Sequence, residues 1–167
     1  ILALLDSYST YAKANLTLNC RNTKNIGTQT RLITGLEGCF PTDAVFGEPV
    51  SFKQWRSEED EEQLLVQVLG IQQKDIVILT PVAPENSIAS RTNSTIPLRR
   101  ASGTNGILLT SIASFKGLES KVVVITDCTS YADFSLYYVG ITRAKAKLYV
   151  LENTTAYNQR VALMKER

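Results

Sequence analysis

Side chains suited to binding phosphate and sugar groups are concentrated in residues 111–127. One predicted strand ends near Ile112 and the next begins at Lys121. The residues that follow the first strand therefore lie at its carboxyl end, the edge of a parallel sheet where ligands bind. Hydroxyls, free backbone amides and a lysine suit phosphate oxygens, and a carboxylate suits a ribose hydroxyl or a water molecule. The groups in question are Ser111, Ser114, Lys116, the amides around Gly117, and Glu119. A plain turn with a surface lysine and glutamate would have the same composition.

Two arginines are candidates to bring positive charge to the same chemistry. Arg143 stands between a predicted helix and a strand, and its planar guanidinium suits two parallel hydrogen bonds to phosphate oxygens. Arg21 follows a short predicted strand and precedes a helix, whose N-terminus attracts anions. Both positions also have structural explanations. Arg143, with Lys145 and Lys147, complements the dipole at a helix C-terminus, and Arg21 is placed to cap local carbonyls.

Helix and strand patterns alternate along the chain and predict an α/β fold with a mostly parallel sheet. The clearest helix begins with a capping-box pattern at Ser57 and Asp60, and the apolar run DIVILT is typical of a strand buried on both faces. A loop is predicted over 40–50 and an irregular excursion over 81–106. Helices are predicted over 1–14, 22–36, 57–70, 131–144 and 155–166, and strands over 15–19, 52–55, 75–80, 107–112, 121–127 and 147–152.

Composition narrows the class of protein. The net charge is +2, which excludes a strongly polybasic protein, and the absence of histidine excludes a catalytic His base and a His-ligated zinc site. The three cysteines are far apart in the sequence and form no CxxC pair, so they predict neither a zinc site nor a disulfide framework. No apolar run approaches the ~18 residues of a membrane span. We expect a cytoplasmic protein without a metal site or membrane contact. The chain begins without Met, and residues 1–167 are expected to form a single domain of a longer protein.

Three short segments resemble a known family. NCRNT at 19–23, SFKGLE at 114–119 and YVGITRAK at 138–145 resemble, in this order, motifs IV, V and VI of superfamily 1 helicases of the UvrD/Rep type. The resemblance is to the second, C-terminal RecA-like motor domain and spans roughly residues 15–151. It implies a three-layer sandwich of the P-loop NTPase type, with a mostly parallel sheet and without a P-loop of its own.

The resemblance also implies roles for individual residues. Arg21 of motif IV would contact the γ-phosphate of ATP, Arg143 of motif VI would act as the arginine finger, and Glu119 and Gly117 of motif V would lie near the nucleotide. Ser111, Ser114 and Lys116 would contact the backbone of single-stranded DNA. Two departures from the family pattern weaken specific contacts. Cys20 stands where family members usually have an aromatic residue that stacks on the base, and Ala113 replaces a usual His that touches nucleic acid.

The ATP-holding half of such an enzyme is not found in this sequence, which contains no GxxxxGK[ST] loop. Residues 60–63, DEEQ, match the sequence pattern of the helicase box that holds magnesium. They lie in the first turn of a predicted amphipathic helix, however, and we interpret them as helix-capping charge. The resemblance therefore implies that ATP and Mg²⁺ are held mainly by an N-terminal RecA-like domain of the same protein. The implied activity is that of an ATP-dependent DNA helicase acting on single-stranded or partly duplex DNA, and these residues alone would be inactive.

Two other functions stay open. A non-motor module that retains the helicase fold and binds nucleic acid or a protein is favoured by Cys20 and Ala113. A small-molecule α/β transferase would need its own Gly-rich phosphate loop, and none is visible in the sequence.

Overall fold

The computed structural model describes residues 18–36, 39–71, 75–100 and 105–166. The predicted helix over 1–14 and most of the predicted strand over 15–19 lie outside these ranges. Of that strand, Leu18 forms an isolated parallel bridge with Cys39, apart from the main sheet.

The main sheet has six strands in the described residues, and every neighbouring pair is parallel. Their spatial order is β1-β6-β5-β2-β4-β3. The strands are β1 (Ser51–Trp55), β2 (Ile76–Thr80), β3 (Leu98–Arg99), β4 (Ile107–Ser111), β5 (Ser120–Cys128) and β6 (Ala144–Asn153). The continuous apolar runs of the central strands fit a sheet that is covered on both faces. The predicted α/β class with a parallel sheet is confirmed.

Helices cover both faces of this sheet and complete three layers. The α-helices are α1 (Lys24–Thr34), α2 (Glu58–Ile71), α3 (Phe134–Ile141) and α4 (Thr154–Glu166). Apolar side chains of α1, α3 and α4 pack against one face, and those of α2 pack against the other. The four helices predicted within the described ranges are thus present, with ends shifted by no more than three residues.

The segment predicted to be an irregular excursion is more ordered than expected. It contains two short 3₁₀ helices, Pro84–Asn86 and Ile88–Ser94, and the edge strand β3. The carboxylate of Asp127, at the end of β5, fixes the second 3₁₀ helix by accepting hydrogen bonds from Ser87 Oγ at 2.6 Å and Ile88 N at 2.9 Å. It also accepts one from Thr80 Oγ1 at 2.7 Å. This order depends on a residue some forty positions away, so the local composition did not reveal it.

The start of α2 agrees in part with its interpretation as capping charge. The amide of Asp60 donates to Ser57 Oγ at 3.2 Å, and the Asp60 carboxylate accepts from the amide of Arg56 at 3.0 Å. These bonds satisfy amides that the helix itself leaves without partners. The interpretation is therefore correct for Asp60.

Glu61 departs from that interpretation, because it is completely buried. One of its oxygens accepts hydrogen bonds from Thr126 Oγ1 at 2.7 Å and from the amide of Asp127 at 2.6 Å. The other oxygen, Oε2, is buried without a hydrogen-bond partner among the described residues. Burial raises the pKa of Glu61 to about 7, and the charges of Asp127 and Glu58 act in the same direction against the two hydrogen bonds. This carboxyl group ties α2 to the end of β5.

A short crossover between β4 and β5 runs from one edge of the sheet to the other. Ser111 ends β4 beside Thr80, at the carboxyl edge, and Ser120 begins β5 near Asp75, at the amino edge. The five residues of β2 separate these edges by roughly 15 Å. Within the crossover, Ile112 and Phe115 are buried in the core that faces α1, α3 and α4. The crossover therefore places Glu119 at the edge opposite Ser111.

A buried ion pair joins β6 to α4. Arg160 Nη2 lies 2.6 Å from Glu152 Oε1, and its guanidinium carbon lies 3.8 Å from the centre of the Phe52 ring. The hydroxyl of Tyr131 donates to the same carboxylate at 2.8 Å. Within this cluster, the buried side chains of Glu152, Arg160 and Tyr131 are thus partnered with one another, as burial of charge requires.

Candidate functional site

A cavity of about 620 Å³ opens at the amino edge of the sheet, beside the starts of β5 and β6. It contains the three charged residues that the sequence assigned to nucleotide contact, and Lys145 in addition. The complete lining is Leu18, Asn19, Cys20, Arg21, Asn22, Gly27, Thr30, Leu36, Phe40, Glu119, Tyr138, Thr142, Arg143 and Lys145. The charged lining residues have a net charge of +2, from three cations and one carboxylate, which favours an anionic ligand.

Arg143 is held rigidly in this cavity and is 8% exposed. Its Nε donates to the carbonyl of Val139 at 2.9 Å, Nη1 to the carbonyl of Leu118 at 3.2 Å, and Nη2 to Thr142 Oγ1 at 3.0 Å. A guanidinium has five N–H groups, so each terminal nitrogen keeps one donor beyond these bonds. Burial, and next the charge of Arg21, lower the pKa of Arg143, although a guanidinium remains protonated near neutral pH.

Glu119 bridges the other two cations. Its Oε1 lies 2.6 Å from Lys145 Nζ and its Oε2 lies 3.3 Å from Arg21 Nε. The hydrogen bond from Lys145 is the main cause that lowers the pKa of Glu119, and the charges of Lys145, Arg21 and Arg143 add to it. The carboxylate thus occupies donors that an anionic ligand would otherwise use.

Two asparagines bring Arg21 to Arg143. The side chain of Asn22 donates to the carbonyls of Thr142 at 3.1 Å and Ala144 at 2.6 Å, the two residues that flank Arg143. The Oδ1 atom of Asn19 accepts from the amides of Arg21 and Asn22, each at 3.1 Å. Sequence reasoning missed both asparagines. A local signal existed for Asn19 alone, because asparagine side chains commonly bond to backbone about two residues onward, whereas the side chain of Asn22 donates to carbonyls 120 and 122 positions away.

The predicted nucleic-acid contacts do not reach this cavity. Ser111 Oγ donates to Ser114 Oγ at 2.8 Å and accepts from the amide of Ser114 at 3.1 Å, near the carboxyl edge. Lys116 lies farther along the crossover and, like the two serines, is not among the described residues that line the cavity. Gly117, which the resemblance assigned to the nucleotide instead, does not line it either. Gly117 has a φ of 88°, a conformation that residues with a side chain rarely adopt.

The expectation of free backbone amides around Gly117 is wrong for its neighbours. The amide of Phe115 bonds to Ser111 O, that of Lys116 to Ala113 O, and that of Leu118 to Phe115 O. This turn of the chain packs Phe115 into the core, and its own carbonyls accept the hydrogen bonds of these three amides. These three amides are therefore not available to a ligand.

The described residues contain no cluster of three or more His, Cys, Asp or Glu side chains that could hold a metal ion. Within the same residues, no helix is both long enough and apolar enough to cross a membrane.

The parallel sheet order and the layers define an α/β domain of the kind found in helicases. The chain superposes on the crystal structure of the C-terminal domain of a possible DNA helicase from Lactobacillus plantarum WCFS1 with a TM-score of 0.63. The match covers 86% of this chain and 95% of that chain at 14% identity, so it shows a shared fold. A similarity to the PRRSV helicase has a TM-score of 0.43 at 14% identity and covers 83% of this chain and 23% of that one.

Sequence comparison finds a family similarity over part of the chain. Residues 106–151 match the model of the UvrD-like helicase C-terminal domain. The matched segment contains motifs V and VI, with Glu119 and Arg143, and it excludes the segment around Arg21. The resemblance to UvrD-like helicases is thereby confirmed over these residues. No curated protein matches the sequence significantly.

Proposed function

We propose that this chain is the C-terminal motor domain of an ATP-dependent DNA helicase or translocase. In this proposal, Arg21 and Arg143 contact the γ-phosphate of ATP that a P-loop-containing N-terminal domain holds. The observation that carries the proposal is that both arginines line one cationic cavity although they lie far apart in the sequence. Because the sequence has no P-loop, we expect no ATP hydrolysis by this chain alone.

The rigid anchoring of Arg143 suits electrostatic catalysis. Three bonds to its own chain fix the guanidinium, and its remaining donors are available to oxygens that gain charge as the phosphoryl group departs. Arg21 is half exposed, and its partner Glu119 is exposed as well, so a phosphate can replace that carboxylate. Glu119 is then available to a sugar hydroxyl.

The described residues of this chain do not form a magnesium site. The described carboxylates form no cluster that could hold the ion, and Glu119 is already paired with two cations. In the proposed enzyme, the ion would neutralise phosphate charge while bound to the N-terminal domain and to ATP.

A separate surface of this domain contacts DNA in the proposal. Ser111 and Ser114 lie toward the edge opposite the cavity, and the Ser114 hydroxyl keeps its proton for a phosphate oxygen after accepting from Ser111. Lys116 adds a positive charge on the same crossover. A crossover that spans both edges links the DNA contact to Glu119, so closure of the two domains around ATP can change the grip on the strand.

Replacing Arg21 by glutamine is expected to weaken the binding of inorganic tripolyphosphate to this chain about tenfold or more, because a charge-assisted hydrogen bond is lost. The measurement is an NMR titration of the dissociation constant. Arg91→Gln is the matched control, since Arg91 is also half exposed and ion-paired, with Glu58, but does not line the cavity. Equal weakening by both variants would contradict the nucleotide role of Arg21.

Lys116→Gln is expected to reduce the salt dependence of single-stranded DNA binding. Loss of one phosphate contact lowers the slope of log K against log salt concentration by about 0.7. Fluorescence anisotropy with an oligothymidine at several salt concentrations measures this slope. Lys121→Gln removes an exposed lysine at the opposite edge and should leave the slope unchanged. If the two variants have the same slope, Lys116 does not bind the strand.

A further inference from the structure

The lining of the cavity combines two kinds of side chain. Arg21, Arg143 and Lys145 are cationic, whereas Leu36 and Phe40 are among the apolar members. Drug- and cofactor-sized ligands occupy cavities of ~300–1,000 Å³, with apolar walls and a few well-placed polar groups. The volume and lining of this cavity therefore suit a ligand that has a highly charged part and a flat apolar part.

Phe40 is seated against the bare backbone of Gly27 in α1. An ideal Cβ on Gly27 would overlap Cζ of Phe40 and would lie 2.7 Å from its Cε1, so only glycine admits the ring at this position. The contact is made by the tip of the ring, through Cζ, Cε1 and Cε2. Because Phe40 lines the cavity, the ring forms part of its wall.

Cys20 lies on the wall of the same cavity and is exposed. Its small side chain offers no flat surface to a base at the position where the family resemblance implies an aromatic ring. Phe40 supplies such a surface from another part of the chain.

We propose that Phe40 is the platform on which the base of a bound nucleoside triphosphate stacks, and that the site accepts the common bases without discrimination. This inference rests on the proposed function of the cavity as a nucleotide site. Stacking tolerates any base, because every base has an aromatic face.

Polar side chains of the lining support the lack of discrimination. Thr30 Oγ1 donates to the carbonyl of Ile26 at 2.9 Å. The side chain of Asn19 donates from Nδ2 to Asn22 Oδ1, and its Oδ1 accepts from two backbone amides. The Nδ2 atom of Asn22 donates to two backbone carbonyls. These three side chains already have partners within the protein, which limits the hydrogen bonds that they can offer to a base edge.

The experiment uses Cys20 as a reporter of cavity occupancy. The rate of alkylation of Cys20 by N-ethylmaleimide is measured by mass spectrometry against ATP, GTP and inorganic tripolyphosphate. Cys39 is exposed and does not line the cavity, so it serves as an internal reference. We expect ATP and GTP to protect Cys20 at similar concentrations, roughly 5- to 150-fold below those that tripolyphosphate requires.

Substitutions then separate the base contact from the phosphate contact. In Phe40→Leu, ATP should protect Cys20 only at concentrations close to those that tripolyphosphate requires. In Phe40→Tyr, which keeps the ring, ATP should still protect Cys20 at lower concentrations than tripolyphosphate. Gly27→Ala should act like Phe40→Leu by displacing the ring. Gly70→Ala is its control, because a Cβ on Gly70 meets nothing within 4 Å. The sugar is the same in all variants, so the change on Phe40→Leu measures the base contact.

The platform would be overturned if ATP still protected Phe40→Leu at much lower concentrations than tripolyphosphate does. It would also be overturned if ATP and tripolyphosphate protected the wild-type chain at the same concentrations. In either case, protection by tripolyphosphate that Arg21→Gln weakens would still support the phosphate site. A strong preference for one base would overturn the lack of discrimination. If none of ATP, GTP and tripolyphosphate protects Cys20, the proposed nucleotide site itself is wrong, and the proposed platform is wrong with it.

Discussion

Arg143→Lys is expected to lower kcat for ATP hydrolysis by about 10³-fold or more, in a protein that joins this domain to its P-loop domain. Lysine keeps the positive charge, but it lacks the planar fork that bonds to Val139, Leu118 and Thr142 while keeping donors for phosphate. The dissociation constant for ATP should change by less than about tenfold, because the P-loop domain provides most of the binding. Steady-state kinetics and a nucleotide titration measure the two quantities separately.

Arg160→Lys provides the control for a purely structural effect of such a change. Arg160 is 9% exposed, as buried as Arg143, and its guanidinium is bonded to Glu152 rather than to groups around the cavity. We expect this variant to lose thermal stability without a comparable loss of kcat for the folded protein. If Arg143→Lys retains turnover, the arginine-finger role is wrong, and a non-motor module that keeps the helicase fold becomes the better interpretation.

The strands and helices were predictable because their signals are local. The apolar run from Ile76 to Thr80 predicts a doubly covered strand, and the acidic start of α2 predicts a helix N-terminus. The order within residues 81–106 was not predictable. It depends on Asp127, which is distant in the sequence and reaches this segment only after β2 and β5 have paired.

The charged residues of the candidate site were predictable from the sequence, but the contacts that hold them in position were not. Motif spacing indicated Arg21, Glu119 and Arg143, and the fold brings all three into one cavity. The contacts of Asn22 with the backbone beside Arg143, and of Phe40 with Gly27, join segments that no local pattern connects. A sequence motif therefore identifies the groups that face a ligand more readily than those that hold them.

Glu61 gives the clearest example of a residue whose environment reverses its local interpretation. In sequence it belongs to a run of acids at a helix start, where charge is favourable. The side chain instead points under the sheet edge, where burial favours the neutral form. Its neighbours in the cluster, Asp127 and Glu58, add negative charge, while Thr126 donates a hydrogen bond to it.

The contribution of Glu61 to the free energy of unfolding is therefore expected to fall as the pH rises from about 4.5 to about 7. Below this range, Glu61 is protonated in both the folded and the unfolded state. Between these pH values, Glu61 ionises in the unfolded chain but stays protonated in the folded state, so its contribution to the free energy of unfolding falls. Above about pH 7, that contribution has been lost completely. At about 1.4 kcal/mol per pH unit, the difference between the ordinary carboxyl pKa of 4.5 and about 7 corresponds to a loss of about 3 kcal/mol.

Glu61→Gln should remove this contribution, because the amide keeps an oxygen for Thr126 and Asp127 and does not ionise. The free energy of unfolding is measured by urea denaturation of both proteins between pH 4.5 and 8. The variant should gain stability relative to the wild type as the pH rises, by up to about 3 kcal/mol at pH 8. The difference between the two curves cancels the titration of the other groups. A difference that stays constant across this range would show that the pKa of Glu61 is the same in the folded and unfolded states, and would contradict the expected effect of burial.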